Sequence, residues 1–207
     1  MRNVLGVVLA GGLARRMGGG DKGLKTIGGR PILDRILERL RPQVDGIVIN
    51  ANGDPERFSP YGLPVAGDAV EGFAGPLAGV LAGLAWARQN RPEITDIVTV
   101  PSDAPFLPRD LVAHMIAARD AAKADLACAV SAGQAHPVVG LWPVRLYEDL
   151  HRAVVGEGIR KVDIWTGRHR LVHAEFAVHP VDPFFNANTP EDLAEAERLL
   201  ARLGDAA

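Results

Sequence analysis

A glycine-rich, basic stretch near the amino terminus constrains this 207-residue chain more than any other feature. It follows residues 4–10, a short apolar segment that is typical of a strand buried on both faces. Glycines between positions 11 and 20 allow close approach of the backbone to a ligand, and the nearby cations outnumber the single anion, Asp21. Because ligands of open α/β sheets bind at the carboxyl ends of strands, this turn predicts a polyphosphate site; a solvated surface loop is the alternative.

Two common phosphate-binding motifs do not fit this stretch. A P-loop requires Gly before its Lys and Ser or Thr after it, whereas Lys22 lies between Asp21 and Gly23. Gly18, Gly20 and Gly23 match the spacing of a dinucleotide-binding fingerprint. The match begins about eight residues after the predicted strand ends, where no helical pattern opens. We therefore interpret it as accidental.

Composition limits the class of protein. A chain of 207 residues that is 47% hydrophobic can bury one core, which predicts a single domain over residues 1–207. The net charge of −2 argues against a general nucleic-acid binder. No apolar run reaches the ~20 residues that span a bilayer, so no membrane partner is expected.

The lone Cys128 fits a reducing compartment. A signal peptide is the alternative, since Arg2 precedes the apolar segment, but its cleavage near Ala14 would remove the basic turn. The expected location is the cytoplasm.

Strand and helix patterns alternate along the chain. Strands are predicted at residues 4–10, 46–50, 64–66, 97–100, 125–130 and 136–142. Helices are predicted after Pro31, up to Asn90, over residues 110–121 and after Pro190, with Thr189 as its cap. The short link at 131–134 predicts an antiparallel neighbour. The fold class is therefore α/β: a single-domain, Rossmann-like three-layer fold with a mostly parallel sheet, one antiparallel strand and helices on both faces.

Polar side chains follow several of these strands. Asn50 ends the second strand, Asp68 follows the third, and Asp103 comes directly after the fourth between two prolines. A carboxylate fixed at a strand end suits Mg²⁺, which prefers few protein carboxylates plus substrate phosphates. Asp68 could accept hydrogen bonds from a base or ribose, or could cap a turn. Asn52 precedes Gly53, which favours a turn former.

Further candidates lie in the second half of the chain. Asn186 and Asn188 alternate through one Ala, so an extended backbone would direct both toward Asp103; plain turn chemistry before a helix is the alternative. His136 and Trp142 either reach a second substrate or serve as a surface residue and a packing residue. Ser102 lacks the surroundings of a nucleophilic serine.

Five segments together resemble one family. They are LAGGLARRMGGGDKGL, GDAVEGFAGPLAG, PSDAPFLP, HPVVGLW and FFNANTPEDL. In order and interval they are similar to segments of the molybdenum cofactor guanylyltransferases, nucleotidyltransferases with a Gly-rich loop after the first strand. The resemblance implies transfer of GMP from GTP to molybdopterin, or to the molybdenum cofactor, with loss of pyrophosphate. Ser102 departs from the family pattern, where Cys is more usual.

The resemblance also implies roles for individual residues. The GTP site would be lined by Leu9, Ala10, Gly11, Gly12, Lys22, Asn50, Asp68 and Asp103. The reaction would be carried by Arg16, Lys22 and Asp103, with Mg²⁺ held by Asp103. The pterin or the reacting phosphates would lie near Gly19, Asn186 and Asn188.

Partners implied by the resemblance are GTP, molybdopterin or the molybdenum cofactor, molybdenum cofactor synthesis proteins and recipient molybdoenzymes. Two enzymatic alternatives stay open, a molybdopterin cytidylyltransferase and a sugar-phosphate nucleotidyltransferase. The LAGG string favours GTP, since the cytidylyltransferases more often show LAAG. A nucleotide-binding carrier of molybdopterin without catalysis is the third alternative.

Overall fold

The computed structural model describes residues 3–11, 20–68 and 75–205. Seven strands form the main sheet: β1 (Val4–Leu9), β4 (Gly46–Asn50), β5 (Val65–Ala66), β6 (Asp96–Pro101), β7 (Leu126–Ser131), β8 (Gln134–Pro143) and β9 (Leu171–Phe176). A separate hairpin pairs β2 (Thr26–Ile27) with β3 (Arg30–Pro31). The helices are α1 (Ile32–Leu40), α2 (Pro76–Asn90), α3 (Leu111–Ala121), α4 (Tyr147–His151), α5 (Val162–Thr166) and α6 (Pro190–Asp205).

The strand order of the main sheet is β5-β4-β1-β6-β8-β7-β9. Strands β5, β4, β1 and β6 are parallel, and β8 is antiparallel to both of its neighbours. Strand β9 pairs in parallel with β7. Among the strands that the structure describes in this sheet, β8 alone runs against the rest, which confirms the prediction of a mostly parallel sheet with one antiparallel strand.

Helices cover both faces of the sheet. Helices α1, α3 and α6 contribute to one hydrophobic cluster, and α2, α4 and α5 contribute to the other. Strand β1 divides its side chains between them, with Val4 and Val8 on the first face and Leu5 and Val7 on the second. This alternation is expected for a strand that is buried on both faces. The predicted three-layer, Rossmann-like architecture is confirmed.

The start of α6 shows how local sequence sets an element boundary. The Asp192 amide donates to the Thr189 hydroxyl at 3.2 Å, and the Thr189 amide donates to the Asp192 carboxylate at 2.9 Å. This reciprocal pair satisfies amides that the first helical turn leaves without intrahelical acceptors. Thr189 is thus the predicted cap, and Pro190 takes the first helical position, where it has no amide to lose.

Some elements have too weak a pattern to be predicted from sequence. The hairpin of β2 and β3 has two residues per strand, and the turn of 3₁₀ helix at Pro55–Tyr61 contains two prolines. Helices α4 and α5 are five residues long, too short for periodicity to show. In the described ranges, no helix has both the length and the apolar character needed to cross a membrane.

Candidate active site

Three strand ends meet at the carboxyl edge of the sheet. Strand β1 lies between β4 and β6, so Leu9 is level with Asn50 on one side and Pro101 on the other. Past the last pair, the Ala10 amide donates to the Asn50 carbonyl at 2.8 Å, and the Ser102 amide donates to the Leu9 carbonyl at 3.1 Å. The loop that follows β1 therefore begins between the two strand ends that carry the candidate polar residues.

The glycine-rich loop is only partly described. Leu9 is half-buried, Ala10 is buried and Gly11 is exposed, so the start of the loop opens from the core toward solvent. Gly12, Arg16 and Gly19 lie outside the described residues, and their proposed roles remain predictions from the family resemblance.

Lys22 links three separate parts of the chain. Its ammonium group donates to the Asp103 carboxylate at 2.8 Å and also to the side-chain oxygen of Asn188. The three residues come from the end of the glycine-rich loop, the segment after β6 and the segment before α6. Sequence reasoning singled out all three, and the structure brings them together. They form a partly buried cluster of one cation and oxygen acceptors.

Close packing of backbone holds Lys22 beside Asp103. A side chain at Gly23 would place its Cβ 3.1 Å from the Ser102 carbonyl oxygen, closer than most Cβ contacts in proteins. Ser102 and Asp103 are themselves buried directly after β6. Glycine at position 23 thus lets the turn that carries Lys22 pack against the Asp103 segment.

The two asparagines before α6 differ in their surroundings. Between them Ala187 is fully buried, and its amide donates to the Asp103 carbonyl at 2.9 Å. Asn188 reaches Lys22, whereas Asn186 is exposed. The segment is therefore fixed against Asp103 at Ala187, and Asn186 is free to meet a ligand from solvent.

A second polar cluster lies beside the end of β4. The Asn50 amide nitrogen donates to the Asp68 carboxylate at 3.0 Å, and the Asn52 amide nitrogen donates to its other oxygen at 2.7 Å. The Asp68 backbone amide returns a bond to the Asn52 side-chain oxygen at 2.8 Å. The structure thus brings Asn50 and Asp68 together as a pair. The interpretation of Asn52 as a mere turn former is incomplete, because its side chain fixes Asp68.

Helix α2 packs close to this cluster because a glycine faces it. A Cβ at Gly79 would lie 2.7 Å from the Leu9 side chain and would also collide with the side-chain oxygen of Asn50. Small residues in this helix therefore allow close packing on the sheet. One consequence is that the end of β4 and the first helical turns of α2 share one wall of the site.

Sequence reasoning missed an arginine that joins the two clusters. The Arg57 guanidinium donates to the Asp21 carboxylate at 2.6 Å and to the Asn52 carbonyl at 2.6 Å. Asp21 immediately precedes Lys22, so Arg57 connects the basic turn with the Asp68 cluster. No local signal could have found this contact, because the two side chains are 36 positions apart in sequence.

The two aromatic candidates of β8 have different surroundings. Trp142 is 2% exposed and donates its indole N–H to the Thr99 hydroxyl at 2.8 Å, so it is a packing residue and the substrate-contact alternative is wrong. His136 is half-buried and lies 2.7 Å from the Ser131 hydroxyl. Burial lowers the pKa of His136, although the nearby Asp182 carboxylate opposes this shift. The lowered pKa favours the neutral imidazole at pH 7.

Comparison with known proteins agrees with this geometry. The profile of the MobA-like NTP transferase domain matches residues 6–174. A molybdenum cofactor guanylyltransferase of Nitrobacter hamburgensis is 58% identical over 196 residues, which cover 95% of this chain and 94% of the relative.

Two crystal structures share the fold. The molybdopterin-guanine dinucleotide biosynthesis protein A of Archaeoglobus fulgidus has a TM-score of 0.74 at 24% identity and covers 96% of this chain and 99% of its own. A Mycobacterium tuberculosis H37Rv protein in complex with manganese has a TM-score of 0.66 at 18% identity, with 94% and 98% of the two chains covered. Taken with the profile and the sequence relative, these likenesses show that the chain belongs to the molybdenum cofactor guanylyltransferase family of MobA-like nucleotidyltransferases.

Proposed function

We propose that this protein transfers GMP from GTP to molybdopterin or its molybdenum-bearing form and releases pyrophosphate. The observation that carries the proposal is the convergence of Asp103 and Asn188 on the Lys22 ammonium group. We propose that Lys22 contacts the nucleotide phosphates, Asp103 holds a metal ion and Asn188 lies toward the acceptor, so that the three residues act at one point. The 58% identical guanylyltransferase supports the choice of donor and acceptor.

The proposed reaction is a displacement at the α-phosphorus of GTP. An oxygen of the terminal phosphate of molybdopterin forms a bond to the α-phosphorus. The bond from the α-phosphorus to the oxygen that it shares with the β-phosphorus breaks, and pyrophosphate leaves with that oxygen. This nucleophile is already anionic at neutral pH, so the reaction needs alignment and charge neutralisation more than a general base. Lys22, and Arg16 on the family resemblance, would offset the negative charge that builds up as pyrophosphate leaves.

Asp103 is the residue that we propose to hold Mg²⁺. Its carboxylate already binds a cationic group, the Lys22 ammonium, and Asn188 offers a second oxygen to the same group, so the donor set suits a hard cation. In the described part of the chain, no group of three His, Cys, Asp or Glu residues could form an all-protein metal cage. That arrangement fits Mg²⁺, which keeps few protein ligands and shares substrate phosphates. Bound there, the ion would neutralise charge on the triphosphate.

The choice of metal is part of the proposal. The manganese complex of the Mycobacterium tuberculosis neighbour supports a divalent ion in this fold. Mn²⁺ and Mg²⁺ both accept oxygen ligands in octahedral geometry. We therefore expect activity with either ion and none with a chelator present.

We propose that the nucleoside binds on the other side of the glycine-rich loop, beside the end of β4. Asn50 and Asp68 form one hydrogen-bonded pair there, and we propose that they contact guanosine together with Leu9, Ala10, Gly11 and Gly12. The Asp68 carboxylate can accept hydrogen bonds from a ribose hydroxyl or a base edge. Asn52 supports this assignment because it holds the carboxylate in place.

The proposed reaction also bears on the cellular compartment and on the partner proteins. We propose that it acts in the cytoplasm, receives molybdopterin from molybdenum cofactor synthesis proteins and passes the product to recipient molybdoenzymes. A lone cysteine is compatible with that reducing compartment.

The test is transfer of labelled α-phosphate onto molybdopterin, measured in parallel with GTP, CTP and ATP in the presence of Mg²⁺. We expect label transfer from GTP alone. Transfer from CTP would move the protein to the cytidylyltransferases. Binding of GTP and molybdopterin without transfer would favour the carrier alternative and contradict the proposal.

A further inference from the structure

A cluster of three polar side chains lies at the carboxyl edge of the sheet, separate from the Lys22 and Asp68 clusters. Ser131 ends β7, His136 lies on β8, and Asp182 belongs to the segment between β9 and α6. The Ser131 hydroxyl donates to the Asp182 carboxylate at 2.9 Å and lies 2.7 Å from His136 Nε2. Ser131 is 1% exposed, so both contacts occur in a buried environment where unmet polar groups are costly.

The direction of the hydrogen bonds excludes a nucleophilic serine. A carboxylate only accepts, so the single hydroxyl proton of Ser131 is directed to Asp182. His136 must then donate from Nε2 to the hydroxyl oxygen, which is the reverse of the transfer that would activate a serine. The neutral imidazole has one N–H to give, and this contact uses it. The cluster is thus a fixed hydrogen-bonded chain from His136 through Ser131 to Asp182.

Asp182 extends this chain into the segment that precedes α6. The oxygen that accepts from Ser131 also accepts from the Phe184 backbone amide at 3.0 Å. The Phe184 ring packs on the His136 ring at a centroid distance of 4.7 Å and edge-on against Phe176 at 5.2 Å. Hydrogen bonds and aromatic contacts therefore fix residues 182–184 to β7, β8 and β9.

The other end of the same segment is fixed at the candidate active site. Ala187 donates to the Asp103 carbonyl, and Asn188 accepts from Lys22. Asn186 lies between the two anchored ends and is exposed. Its position relative to Asp103 is therefore set from both sides, and the Ser131 cluster provides the more distant anchor.

We propose that Ser131, His136 and Asp182 are positioning residues that hold Asn186 in place for the acceptor substrate. This inference rests on the proposed function, because it assigns Asn186 to molybdopterin. Loss of the anchor releases residues 182–184, whereas Ala187 and Asn188 keep their own bonds to Asp103 and Lys22, so we expect the GTP side to be unaffected. The expected signature is weaker binding of the acceptor with unchanged binding of GTP.

The sharpest variants are two substitutions of Asp182. The hydrogen bonds from Ser131 and Phe184 both go to a single Asp182 carboxylate oxygen. Asp182→Asn keeps an oxygen acceptor there, whereas Asp182→Ala removes it. We expect Asp182→Ala and Ser131→Ala to raise the KM for molybdopterin about tenfold, the effect of losing one or two hydrogen bonds, and Asp182→Asn to stay near wild type.

The matched control is Thr99→Val. Thr99 is also buried at the sheet, where its hydroxyl accepts from Trp142 and donates to the Val138 carbonyl, but it does not contact residues 182–188 in any described bond. We expect this variant to lower thermal stability without changing either KM. Molybdopterin binding measured by the fluorescence of the pterin provides a readout that does not depend on turnover.

Two failures can be told apart. If wild-type protein neither binds nor modifies molybdopterin, the proposed function fails. If wild-type protein transfers GMP but Asp182→Ala leaves acceptor affinity unchanged, or weakens GTP and acceptor equally, the positioning role is contradicted. Failure of Asp182→Asn to restore affinity would also contradict it, because the argument needs only an oxygen acceptor at that place.

Discussion

Strand β6 carries an ion pair at each end, and the two pairs look alike by distance and burial. At its amino end Asp96 meets Arg119 at 2.5 Å, with side chains 11% and 17% exposed. Beyond its carboxyl end Asp103 meets Lys22 at 2.8 Å, with side chains 13% and 21% exposed. Neither the distance nor the exposed fraction distinguishes an ion pair that stabilises the fold from one that takes part in a reaction.

The partners of each pair do distinguish them. Arg119 lies in helix α3, and its guanidinium also contacts Asp120, while Asp96 also accepts from the neighbouring Thr95 hydroxyl. Lys22 lies in a turn after a glycine-rich loop and shares its ammonium with Asn188. Arginine forms a planar fork that suits one fixed geometry, whereas lysine is a compact charge on a flexible chain. The amino-edge pair therefore fits a structural role and the carboxyl-edge pair a functional one.

The largest expected effect belongs to Asp103→Asn. The variant keeps size and polarity but loses the charge that would bind a metal, so we expect turnover to fall about 10³-fold. The thermal midpoint should change little, because Lys22 keeps its bond to Asn188 and its flexible chain can turn the ammonium group toward solvent. Single-turnover label transfer and thermal unfolding on the same preparation check both parts. Wild-type turnover in this variant would remove the distinction between the two ends of β6.

The next largest effect should come from Lys22→Ala, with GMP transfer lower by about 10²-fold if the proposed charged contact to the phosphates is lost. Lys22→Arg tests the shape of the cation. A planar guanidinium in place of a compact ammonium should not restore the rate, since Asp103 and Asn188 converge on a single nitrogen. Full rescue by Arg would show that charge alone matters there.

Asp96→Asn should produce the opposite pattern. Removing the Asp96 charge leaves Arg119 with only its longer contact to the exposed Asp120, so we expect a loss of about 2 kcal/mol in the free energy of unfolding. Turnover at a temperature well below unfolding should match wild type. A loss of turnover as large as that of Asp103→Asn, in folded protein, would contradict the structural assignment.

The smallest effect concerns Asp125, which forms ion pairs with two arginines at the amino edge. Hydrogen bonds from Arg170 and Arg145 hold the pKa of Asp125 well below its usual range. The stabilisation is present above the unfolded-state pKa of about 4 and is lost as pH falls through the lower folded-state pKa. Because both arginines are exposed, we expect Asp125→Asn to cost only about 0.5 kcal/mol at pH 7.

Denaturant unfolding at a series of pH values checks this last prediction. The difference between wild type and Asp125→Asn should shrink as pH falls below about 4, and it should also shrink in high salt. A difference that stays constant from pH 7 to pH 3 would show that the carboxylate charge is not its source.

Local sequence patterns predicted most of the fold because the signals lie within single elements. Residues 4–10 predict β1, and the cap at Thr189 predicts the start of α6. Asn50, Asp68 and Asp103 were predictable as candidates for the same reason, since each follows a strand and parallel strands end at one edge.

The contacts that join elements could not be read in this way. Gly53 does adopt a positive φ of 83°, so the turn beside Asn52 was predicted correctly, but the bond from Asn52 to Asp68 spans 16 positions. The Arg57–Asp21 pair and the Ser131–Asp182 bond span 36 and 51 positions. Such partners are set by how the loops fold over the sheet edge, which one sequence does not encode locally.

The most direct test of the account is a single-turnover assay with α-labelled GTP and molybdopterin on three proteins side by side, namely wild type, Asp103→Asn and Asp96→Asn. The account predicts labelled guanine dinucleotide product at the same rate from wild type and Asp96→Asn, a rate about 10³-fold lower from Asp103→Asn, and loss of the wild-type product on chelation of the metal. Equal product from all three proteins, or product that survives chelation, would contradict it.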